Sequence, residues 1–136
     1  MSYTNAVVVP LPYAEAVERT RAALAEQGFG ILTEIDVRAT FEKKLGAEAA
    51  EGVGDYVILG ACNPDLAHRA LEVDRGIGTL LPCNVVVTAD GDRTQVRIFD
   101  PMLMAQVTGR EEIAPIAAEA ERRLTDALAA LPQTTD

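Results

Sequence analysis

Apolar positions along the chain change their period several times, and each change marks an element. Ala6 to Leu11 is a short β-branched run ended by Pro12. Tyr13, Ala14, Val17, Leu24 and Ala25 then recur at helical spacing until Gly28 stops them. From Gly30 the period drops to two, with Ile31, Thr33, Ile35 and Val37 on one face and Leu32, Glu34 and Asp36 on the other. That alternation predicts a half-buried strand. A short basic helix over Ala39 to Leu45 follows, closed by Gly46, and the acidic, glycine-containing stretch Ala47 to Gly54 reads as a loop.

Tyr56-Val57-Ile58-Leu59 is apolar on both faces, which predicts a central strand. Asn63-Pro64 opens a helix, since asparagine is a preferred N-cap and proline suits the first helical position. Val85 to Thr88 and Val96 to Phe99 flank Asp90-Gly91, a strong hairpin signal. Ile113, Ile116, Ala120, Leu124, Leu128 and Leu131 then form the apolar stripe of a long helix. Pro115 inside it calls for a kink, or for a true start near Ala114. The order is β-α-β-α-β-α-β-β-α, and no repeat or linker divides it. It predicts one α+β domain over residues 1–136, a mostly antiparallel single-layer sheet backed by helices, with a frayed tail from Pro132 to Asp136.

Composition narrows the partners. A chain of 136 residues is long enough to fold without disulfide or metal staples. It carries twelve Lys and Arg against twenty-one Asp and Glu, a net charge of −9, which repels a phosphate backbone and an anionic membrane surface alike. Nucleic acid and membrane are therefore not expected partners. With no tryptophan and only three tyrosines, stacking platforms for bases are scarce. No secretory pattern precedes the first strand and no apolar run is long enough to span a bilayer, so a cytoplasmic location with reduced cysteines is expected.

The chemistry-bearing residues gather in "GACNPDLAHRALEVDRGIGTLLPCNV", Gly60 to Val85, which holds both cysteines and the only histidine. Cys62 stands immediately before the N-cap Asn63, where unpaired N–H groups and the helix dipole favour a thiolate. The structural reading is that Cys62 ends a buried strand as a small hydrophobe. Cys83 shares a strand face with Val85 and Val87, which favours a core role. If the two strands pair antiparallel, the thiols become neighbours. His68 falls roughly 145° from the centre of its helix's apolar face, so it points to water or to a partner subunit rather than completing a Cys62–His68–Cys83 metal site. Glu34 and Asp36 form a second candidate pair, two residues apart on one strand face. That spacing suits acid–base work, but it also describes the wet face of a sheet.

Four blocks, "GFGILTEIDV" (Gly28 to Val37), "YVILGACNPDLAHRAL" (Tyr56 to Leu71), "GTLLPCNVVV" (Gly78 to Val87) and "DPMLM" (Asp100 to Met104), together resemble the bacterial and archaeal family called domain of unknown function 302. The resemblance implies a homodimeric domain related to the TATA-binding-protein-like fold, a curved antiparallel sheet backed by helices, and no established reaction or cofactor. Function belongs to sites rather than folds, so the saddle shape does not itself imply DNA binding. The expectation is a cytoplasmic homodimer holding a small ligand, a thiol, sulfur or metal species, near Cys62, Asn63 and Cys83. The rival is an interaction module with purely structural cysteines, and a weaker third reading is a thiol- or metal-dependent enzyme.

Overall fold

The computed structural model describes residues 2–133. Five strands, β1 (Thr4–Val9), β2 (Gly30–Asp36), β3 (Tyr56–Cys62), β4 (Cys83–Asp90) and β5 (Arg93–Phe99), form one sheet. Its order is β1-β5-β4-β3-β2, and every neighbouring pair is antiparallel. Helices α1 (Tyr13–Glu26) and α6 (Ile113–Ala129) pack on one face, so the α+β expectation holds. The alternation of each strand explains that layer. Val7, Val96, Val87, Val57 and Asp36 form one cross-strand row; Asn5, Ile98, Val85, Leu59 and Glu34 form the next. The central members of both rows are sealed, whereas both ends are polar or only partly covered. Each sealed aliphatic side chain contributes about 1.5–3 kcal/mol.

Local signals set the joints. Helix α1 ends in a Schellman turn: the Gly28 N–H donates to Ala25 and the Phe29 N–H to Leu24, with Gly28 at φ +85°. Phe29 and Leu24 enter the same core cluster, as that motif favours. The β4–β5 hairpin closes at Asp90 opposite Arg93, around Gly91-Asp92. Positive φ at Gly91 but not at Asp92 fits a type II′ turn. Thr94, fully buried, donates its hydroxyl to the Leu11 carbonyl at 2.8 Å, tying the exit of β1 to the hairpin.

Several expectations need correction. Ala47 to Gly54 is not a loop but contains helix α3 (Ala47–Val53), which pairs with α2 (Val37–Leu45). Its alanine content supports the helix, and of the two glycines that suggested a loop, Gly54 is its cap at φ +71°, while Gly46 at φ +100° separates it from α2. A helix unmarked by periodicity, α5 (Met102–Thr108), follows β5. The Asp100 carboxylate accepts the Met102 N–H at its start, and left-handed Gly109 ends it. At Pro115 the second of the two expectations holds, a start near Ala114: α6 begins at Ile113, so Pro115 falls in the first turn, where backbone N–H groups have no partner within the helix. Of the tail expected to fray, residues 134–136 lie outside the described ones. Gln133 is held, its amide donating to the Leu128 and Leu131 carbonyls.

Strand β2 departs furthest from its pattern. A register shift between Ile31 and Thr33 leaves Leu32 without a partner and switches the faces. Ile31 stands opposite buried Ala61, but Thr33 and Ile35 stand opposite Gly60 and Ile58 on the other side. Glu34 and Asp36 therefore take the helix-side rows, where both stay exposed at the sheet's edge. Gly60 is required by this arrangement: a Cβ there would lie 2.1 Å from the Thr33 hydroxyl and 2.8 Å from the Pro82 ring.

Candidate functional site

The end of the sheet carrying Cys62 and Cys83 meets a second, smaller cluster made by helices. Helix α4 (Pro64–Val73), the 3-10 segment Arg75–Leu80, α5 and the start of α6 supply it. Asn63 begins α4 as the spacing predicts: its Oδ1 accepts the Leu66 N–H at 3.1 Å, and Pro64 fills the first helical position. With Asn63 fixed, α4 turns Leu66 and Ala70 inward against Ile116, Ala117 and Ala120 of α6. The alanines are too small to fill the junction. A cavity of about 40 Å³ remains, bounded by Phe29, Ala61, Cys62, Asn63, Cys83 and these helical side chains.

Antiparallel pairing of β3 and β4 sets Ala61 opposite Cys83, with Cys62 the next residue along. Both thiols line the cavity, and both are free and partly covered. Burial, not the helix terminus, decides their chemistry. It raises the Cys62 pKa above its ordinary value, and it pushes Cys83 up to about 11, with nearby Cys62 adding to the rise. The thiols are therefore neutral near pH 7, a correction to the thiolate that the position before the α4 N-cap suggests. On the outer side, a recess of about 260 Å³ shares Leu81, Pro82, Cys83 and Met104 with the cavity, and Thr79 and Asn84 give it polar edges.

His68 does not join this site. Its side chain is 76% exposed on α4, with Nδ1 3.5 Å from Glu72. Among the described residues, no three His, Cys, Asp or Glu side chains are grouped to hold a metal ion. Glu34 and Asp36 share a shallow cleft with Tyr13 and Glu18, but each is already engaged. Glu34 pairs with Arg21 of α1, and Asp36 caps α2 by accepting the Ala39 N–H at 2.9 Å. Tyr13, which periodicity marks only as an apolar position, has its pKa pushed up to about 12 by burial and by Asp36 and Asp55. The cavity's helical wall was legible only in part, and only as core: Ala120 lies on the α6 stripe, Ala117 is not among its marked positions, and Met104 sits on the helix that periodicity does not mark.

The family model for the domain of unknown function DUF302 matches residues 5–131. The chain belongs to the DUF302 family. The crystal structure of an uncharacterized conserved DUF302 protein from Bacillus stearothermophilus is similar throughout, with a TM-score of 0.83 and 28% sequence identity over 95% of this chain and 98% of that one. None of the curated proteins compared matches this DUF302 chain. No helix among the described residues is long and apolar enough to cross a membrane.

Proposed function

We propose that this DUF302 domain is a small-ligand-binding protein that works as a cytoplasmic homodimer and takes up a small, uncharged apolar or sulfur-bearing molecule beside Cys62 and Cys83. The observation that carries the reading is the cavity at the junction of sheet and helices, apolar apart from Asn63 and the two neutral thiols. Charged ligands would lose their hydration there without a counter-charge. The cavity itself admits only a few heavy atoms, so a larger molecule would leave its polar part in the outer recess, near Thr79 and Asn84. Two cysteines with His68 turned away favour an uncharged sulfur compound over a metal ion.

Mass spectrometry under non-denaturing conditions, on protein taken directly from cells, tests this. A retained small molecule is expected, and Ala117→Leu, which fills the cavity, should remove it. Bare chain in both proteins, together with N-ethylmaleimide labelling of Cys62 that Ala117→Leu leaves unchanged, would sink the ligand reading and leave the thiols structural.

A further inference from the structure

Among the described residues that border the cavity, Asn63 alone carries a strong hydrogen-bonding side chain, and it is only 8% exposed. The two ends of its amide have different fates. Oδ1 accepts the Leu66 N–H and starts α4, which fixes the orientation of the whole group, because only the oxygen can accept. Nδ2 is thereby turned the other way, toward Gly28, where it lies 2.9 Å from the place a Cβ would occupy. There it makes no hydrogen bond with any described residue. No buried side-chain nitrogen or oxygen among the described residues is both sealed and unpaired, so Nδ2 opens onto space that another atom can reach.

We infer that Asn63 sets the specificity of the cavity: its Nδ2 donates to the acceptor oxygen of a small uncharged molecule, a sulfoxide or a carbonyl compound, whose apolar remainder fills the space beside the thiols. The inference rests on the ligand reading above and gives that ligand a chemical class. The surroundings of the donor select an uncharged acceptor. Arg123 Nη1 lies 3.1 Å from the same point in front of Gly28 and donates to the Gln27 carbonyl at 3.2 Å. Its Nη2 donates to Glu119 at 2.9 Å, and Arg69 stands between Glu119 and Asp65, at 3.4 and 3.5 Å. Two arginines thus meet two carboxylates, and an anion would find both cations already matched while losing its own hydration. A molecule without an acceptor would cover Nδ2 and leave it unpaired, which costs more than one such bond gains. The two thiols beside it are weak donors, so they favour the same partner.

The test uses two probes small enough for the cavity, dimethyl sulfoxide and dimethyl sulfide, which differ by the acceptor oxygen. Each is titrated into isotope-labelled protein and followed by its amide resonances. Both should move the backbone resonances of Ala61 and Ala117 on the cavity wall, and the sulfoxide alone should move the Asn63 side-chain NH2 resonances. Asn63→Ser keeps a good N-cap but is too short to place a donor before Gly28. Asn63→Asp keeps cap and volume and replaces the donor by an acceptor. With the circular dichroism spectrum unchanged, both variants should weaken sulfoxide binding by about three- to ten-fold, the worth of one neutral hydrogen bond, and leave sulfide binding as it was. Sulfide binding at the cavity wall, with the variants affecting both probes alike or neither, would overturn the donor role and spare the ligand reading. If neither variant folds, the wild-type NH2 resonances decide, and their indifference to the sulfoxide overturns the donor role. Failure of both probes to move the cavity-wall resonances would overturn both.

Discussion

The interior has two parts that solve the packing problem differently. Between the sheet and the helices α1 and α6, β-branched strand residues and leucines interlock, and Leu59, Val85, Val87, Val96, Ile98 and Leu124 are almost wholly sealed. At the sheet's end, mostly helical side chains gather around Ile77 and Ile113, with alanine at positions 70, 117 and 120, and a cavity bordered by Ala61 and the two thiols survives. Strand rows present side chains in register across 4.7–4.9 Å spacings, whereas crossing helices leave gaps wherever small residues face each other. The difference leaves the first region as rigid support and gives the second the space that the proposed ligand would fill.

Truncation should separate the regions most sharply. Leu59→Ala, in the sealed sheet cluster, is expected to cost about 2–5 kcal/mol in urea unfolding, because its neighbours on both cross-strand partners cannot collapse inward. A loss below about 1 kcal/mol would erase the contrast.

Alkaline pH probes the cavity side. Cys83 is neutral in both folded and unfolded chains below the ordinary thiol value of 9.0, so its contribution is intact there. Between 9.0 and about 11 the unfolded chain releases the proton while the folded one retains it, and stability falls by about 3 kcal/mol at most. Tyr13 acts in the same sense above 10.0. Urea unfolding at pH 8 and pH 11 should therefore show a smaller drop for Cys83→Ala than for the wild type; equal drops would place the thiol in water.

Enlarging an alanine sharpens the same comparison. Ala127→Leu, on the part of α6 that meets the sheet, should overpack and cost about 1–3 kcal/mol. Ala117→Leu, nearly three turns earlier and facing the cavity, should cost less, because part of the added volume enters empty space. Equal losses in thermal melts would show that the cavity is not available to a larger side chain. The smallest effect concerns the thiols themselves. Cys62 should label with N-ethylmaleimide before Cys83, since Cys83 is the more strongly raised of the two; peptide mass spectrometry gives the order.

Local signals were sufficient where a residue acts on its own segment. Asn63-Pro64 starts α4, Gly28 ends α1, and Asp90-Gly91 marks the hairpin, because caps and turns depend on a few adjacent backbone groups. The alternation of Val85 and Val87 likewise placed one face of β4 in the core, since a period of two leaves one choice of face. Composition set the repulsion from phosphate surfaces. Packing across the chain decided the rest. The bulge at Leu32 turned Glu34 and Asp36 to the helix side, against their own periodicity, and set Thr33 over Gly60, where only glycine fits. Desolvation by burial overrode the favourable position of Cys62 beside a helix start. The cavity exists only where alanines from α4 and α6, helices separated by about forty residues, meet the two thiols, a coincidence that no local pattern encodes.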